Sequence, residues 1–118
     1  MTREDAHICI AHVEGAALRL AEAMTTESAL EDERALVKVA GIQRLMDLGP
    51  NPLTGKPHSV SSAEAIIEQD FRYMEHRVKQ RQAVANTILF RAKLKAAELR
   101  AQFAVELAAI DALAQEVE

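Results

Sequence analysis

From residue 59 to residue 118 the sequence contains neither glycine nor proline. The stretch is rich in Ala, Leu, Glu, Gln, Arg and Lys, which lose little side-chain freedom in a helix. At 100° per residue, Ile67, Phe71, Met74, Val78, Ala85, Ile88, Leu89, Ala92, Ala96, Leu99, Phe103, Leu107, Ile110, Ala114 and Val117 fall in one arc about 100° wide. A phase kept that long predicts one continuous helix over about 61 to 116. "SSAE" supplies its start: Ser61 with Glu64 matches a capping box, and Ser62 is the rival cap. Such a helix is not stable alone and must lie against partners.

A second apolar line runs on the opposite side of the same helix: Ala83, Phe90, Leu94, Ala97, Ala101, Ala104, Ala108 and Ala112. One neighbour covers the first arc, so something else must cover the second. Ala83, Phe90, Leu94, Ala97, Ala101, Ala104 and Ala108 are therefore the expected oligomer interface, with alanines that allow close helix contact.

The N-terminal part also reads as helix. Cys9, Ile10, Val13, Ala16, Ala17, Leu20, Ala21 and Met24 form one apolar face. The phase then jumps at "TTES", where Thr25, Thr26 or Ser28 is a candidate cap and Ser28 with Glu31 makes another capping box. The reading is a helix over about 4 to 24 and another over about 27 to 48, with a single kinked helix as the alternative. Gly49 follows as a helix stop and Pro50 blocks continuation.

The expectation is a single all-α domain over 1–118: an antiparallel helical hairpin with a loop at 49–60 and one very long C-terminal helix, assembling into an oligomeric helical bundle. A bare hairpin has little core, and a dimer is the favoured remedy. Only 3% of residues are aromatic and none is Trp, which does not suit a deep aromatic pocket. The single cysteine, Cys9, excludes an internal disulfide and a cysteine-based zinc site. The opening "MTREDAHICIAHVEG" is acidic with a short apolar run, so neither a signal peptide nor a membrane span is expected, and the cytoplasm is the expected compartment.

The loop contains "TGK", part of a phosphate-binding signature. Gly49 and Gly55 are separated by five residues rather than the four of that motif, and Pro57 stands where Ser or Thr would hold magnesium. The segment before it is helical, so the strand is missing as well. Glu4 with His7 gives one E-x-x-H and Cys9 with His12 one C-x-x-H, whereas a di-iron bundle needs two E-x-x-H motifs and further glutamates. Cys9 has no evident base partner. No catalytic residue, cofactor or metal is expected, and the chain reads as a non-enzyme.

Charge is unevenly spread. From Arg72 to Arg100 there are eight basic residues (Arg72, Arg77, Lys79, Arg81, Arg91, Lys93, Lys95, Arg100) against Glu75 and Glu98. From Met1 to Leu36 there are three basic and eight acidic residues. Arg72, Arg77, Lys79, Arg91, Lys93 and Lys95 are candidate nucleic-acid contacts. Against this, the basic positions point all round the helix, and Tyr73 is the one nearby aromatic expected to be exposed. The other reading pairs the basic stretch with the acidic arm.

The string "NPLTGKPHSVSSAEA", followed by a long Ala-, Arg- and Glu-rich helix, resembles small helical proteins encoded in bacteriophages and prophages. The residues that carry the likeness are Asn51, Pro52, Thr54, Gly55, Lys56, His58 and Ser59. The resemblance implies a phage setting, where DNA-metabolism accessories and interaction adaptors are common, in the host cytoplasm. Gly55 suits a turn position of positive φ. Lys56 and His58 are expected at the exposed tip, and Asn51, Thr54, Lys56 and His58 are the candidate contacts to an unidentified protein partner.

Overall fold

The computed structural model describes residues 1–53 and 55–117, so Thr54, one of the candidate contacts, lies outside the described residues. The described chain is all-helical: α1 (Arg3–Asp47), α2 (Val60–Glu68) and α3 (Phe71–Val117).

α1 is one helix where two were the first reading. Thr2 and Asp5 cap it reciprocally: the Asp5 N–H donates to the Thr2 hydroxyl at 3.1 Å, and the Thr2 N–H donates to the Asp5 carboxylate at 3.0 Å. The Thr2 backbone and side-chain hydrogen bonds hold the Asp5 carboxyl below its ordinary range. At "TTES" no new helix starts. The Thr25 hydroxyl donates back to the Ala21 carbonyl at 2.9 Å, a bond made inside a continuing helix. Gly49 ends α1 with φ +98°, the left-handed stop expected there.

The C-terminal helix begins and breaks elsewhere than expected. Ser59, not Ser61 or Ser62, is the cap of α2, its hydroxyl accepting from the Ser62 N–H at 3.1 Å. α2 then stops at Glu68, and Asp70 starts α3 by accepting from the Arg72 N–H at 2.8 Å. The expected single helix over 61–116 is therefore two. The break lets α2 bury Ala63 and Ile67, and Ile67 lies so close to Gly41 that a Cβ there would stand 3.0 Å from its Cδ1.

The chain forms two compact units. Unit 1 joins Met1–Thr25 to Ala85–Glu118. Its seam alternates steps of three and four residues on both helices. Ala6, Cys9, Val13, Ala16, Leu20 and Ala23 on α1 are buried or half-buried, as are Thr87, Phe90, Leu94, Ala97, Ala101, Ala104 and Ala108 on α3. This is the spacing of an antiparallel coiled coil, with alanine at most of its buried positions. The Met1 ammonium group pairs with Asp111 at 2.8 Å across the same unit, and that carboxylate raises its pKa.

Unit 2 is Thr26–Val84. It continues the three–four spacing through Glu27, Leu30, Arg34, Val37 and Gly41 on α1 and through Tyr73, His76, Gln80 and Ala83 on α3. Its seam is mixed rather than apolar. His76 Nε2 donates to the Leu30 carbonyl at 2.9 Å, and Gln80 donates to Glu31.

These seams correct the expected interface. Ala83, Ala97, Ala101 and Ala104 are buried within the single chain, and Phe90, Leu94 and Ala108 are half-buried there. The helices meet through small side chains, and the bulky arc is left outside: Phe71, Met74, Val78, Ile88, Leu99, Phe103 and Ile110 are all exposed.

Two outcomes check this arrangement. Ser59→Ala removes the α2 cap and should cost about 1 kcal/mol in urea unfolding, whereas Ser61→Ala should change stability by less than about 0.5 kcal/mol. Ala104, 1% exposed, has no room for a larger side chain. Ala104→Leu should lower stability by about 1–3 kcal/mol, seen as a fall of several degrees in Tm, while Ala112→Leu at an exposed position should leave Tm within about 2 °C.

Candidate functional site

The loop between α1 and α2 is built on Asn51. Its N–H donates to the Lys56 carbonyl at 2.8 Å, its carbonyl accepts from the Gly55 N–H at 2.7 Å, and its Oδ1 accepts from the Leu53 N–H at 3.0 Å. The reversal needs a left-handed residue, and Gly55 provides it with φ +67°. Asn51 is thus a half-buried organiser of the turn, and Lys56 and Leu53 are displayed. His58 departs from expectation: it is half-buried, and its Nδ1 is enclosed without a hydrogen-bond partner among the described residues.

Tyr73 also departs from expectation. It is 6% exposed, so it is no platform for stacking on bases. The neighbouring Tyr73 hydroxyl and the Glu31 carboxylate at 3.0 Å raise the Arg34 pKa, and the Arg34 Nε is enclosed without a hydrogen-bond partner among the described residues. Beside this pair in unit 2 lies an open groove of about 750 Å³. Phe71, Met74 and Val78 form its apolar wall, and Arg77 and Arg81 stand along it.

The ion pairs among the described residues are Met1–Asp111, Arg34–Glu31 and Lys38–Glu68. None includes Arg72, Arg77, Lys79, Arg81, Arg91, Lys93, Lys95 or Arg100. Lys93 lies 5.4 Å from the centre of the Phe90 ring, and Arg77 donates to Gln80 at 3.2 Å. These side chains lie around the helix, on the flanks of the exposed stripe as well as within it, where Arg81 and Lys95 sit.

Among the described residues no three His, Cys, Asp or Glu side chains converge on a point that would hold a metal ion. Glu4 and His7 are exposed, and Cys9 is half-buried in the seam of unit 1. No described helix is long and apolar enough to cross a membrane. What the structure presents instead is apolar surface: the outer stripe of α3, the groove of unit 2, and the tip of the loop. The stripe was visible in the sequence as the stronger of two arcs; its exposure was not.

No family model, curated protein or solved structure matches the chain.

Proposed function

We propose that this chain is a non-enzymatic, homo-oligomeric helical adaptor or accessory protein of the phage-related kind, acting through its helix faces and the 49–60 loop. One observation carries the reading. α3 is apolar on two opposite sides, and the fold covers only the side made of small residues. The uncovered side bears Ile88, Leu99, Phe103 and Ile110, each more than half exposed. Burying a side chain of that size is worth about 1.5–3 kcal/mol, so a partner surface gains more from this face than the chain gains from its own alanine seam. Sedimentation velocity over the micromolar range should show a concentration-dependent dimer of high helicity. A monomer throughout that range would count decisively against the reading.

A second reading is a nucleic-acid-binding accessory of phage DNA recombination or replication. It is favoured by the basic side chains of residues 72–100, none of which belongs to an ion pair among the described residues. Fluorescence anisotropy with labelled single-stranded and duplex oligonucleotides should then show binding that weakens steeply as salt rises. Replacing Arg91, Lys93 and Lys95 together by Gln should reduce it at least about tenfold, since every cation facing a phosphate strengthens binding whatever the sequence. Absence of binding at low salt removes this reading.

A further inference from the structure

Within unit 1, α3 has a charge order along its length as well as an apolar stripe on its outer face. Residues 91–100 hold Arg91, Lys93, Lys95 and Arg100 against Glu98 alone. Residues 101–117 hold Glu106, Asp111 and Glu116 and no Lys or Arg, with Asp111 already paired to Met1. The stripe runs along both halves through Ile88, Leu99, Phe103, Ile110 and Leu113, all exposed. Lys95 and Glu106 are both exposed and lie about three helical turns apart, so they project from nearly the same side as the stripe. Among the described residues neither belongs to an ion pair, and Glu106 accepts a long bond from Gln102 at 3.4 Å.

Resting on the homo-oligomer reading above, we propose that this face binds the same face of a second copy, the two α3 helices antiparallel about a two-fold axis lying between Leu99 and Phe103. Charge complementarity selects both the occupant and the direction. A parallel pair stacks the basic half on the basic half. An antiparallel pair lays the basic half on the acidic half twice over, once for each copy. The apolar positions agree with that register. Leu99 falls beside the partner's Phe103, Leu89 against the partner's Leu113, and the small Ala92 against the partner's bulky Ile110. Lys95 meets the partner's Glu106, and Glu106 meets the partner's Lys95. The contact is isologous, so it closes at two copies and leaves no second stripe to propagate it.

The test is a charge swap in the full chain, read by sedimentation velocity with circular dichroism as the control for folding. Lys95→Glu and Glu106→Lys should each weaken the dimer about tenfold or more, because each sets two like-charged pairs into the interface. The double variant restores opposite charges and should return the dissociation constant to within about threefold of the parent. Helicity at monomer concentrations should be unchanged in all three. A parent chain that dimerises while the single variants keep its dissociation constant overturns this interface and leaves the homo-oligomer reading standing. Weakened single variants with no recovery in the double overturn the antiparallel register. A parent chain that stays monomeric overturns both.

Discussion

Everything else in this structure depends on a seam of small side chains. α1 and α3 meet through Ala6, Ala16 and Ala23 on one side and Ala97, Ala101 and Ala104 on the other. Alanine allows two helices to approach closely and removes little apolar surface from water per residue. Among the described residues no large side chain is fully buried. Many of the larger apolar groups of α3 stand outside the seam, among them Phe71, Ile88, Leu99, Phe103 and Ile110. The hairpin keeps alanine at most of its buried seam positions and leaves Ile88, Leu99, Phe103 and Ile110 of α3 exposed.

The polar residues divide the seam in a consistent way. Unit 2 carries His76, Gln80 and Arg34 at positions that unit 1 fills with alanine or leucine. His76 donates to the Leu30 carbonyl, Gln80 to Glu31, and Arg34 pairs with Glu31 along its own helix. Buried polar groups with defined partners cost little when satisfied and much when misaligned. They pin the register of α1 against α3, which alanine alone does weakly, since one alanine layer resembles the next.

Helical class, the loop and its glycine stops were legible because they rest on local chemistry. Gly49 and Gly55 adopt the positive φ that their positions in the sequence imply. Two other features were hidden. The continuity of α1 was masked because Glu27 and Arg34 occupy seam positions, while Ala29 and Leu36 point to solvent. A hydrophobic pattern then shifts phase although the helix does not. The break at Gln69–Asp70 was masked because Ile67, Phe71 and Met74 remain in helical phase across it. Only the burial of Ile67 against Gly41, a contact between distant segments, reveals why Asp70 acts as a cap. Both apolar faces of α3 were legible, but which one faces inward was not. That choice depends on the matching face of α1, whose own seam is small, so size complementarity and not hydrophobicity decides it. The loop residues were legible in part: Lys56 is displayed, whereas His58 and Asn51 are drawn inward by the geometry of the turn.

The division into two units has a consequence for how the chain reaches this state. Unit 2 is one uninterrupted segment, Thr26–Val84, whereas unit 1 is assembled from the two ends of the chain. The pairing of Met1 with Asp111 closes nearly the whole polypeptide into a loop. Loop closure of that span is entropically costly unless the intervening residues are already ordered. Unit 2 needs only contacts between residues of one segment, and so of shorter sequence separation. The histidine and glutamine bonds of its seam therefore span 46 and 49 residues of chain, against 110 for the Met1–Asp111 pair of unit 1.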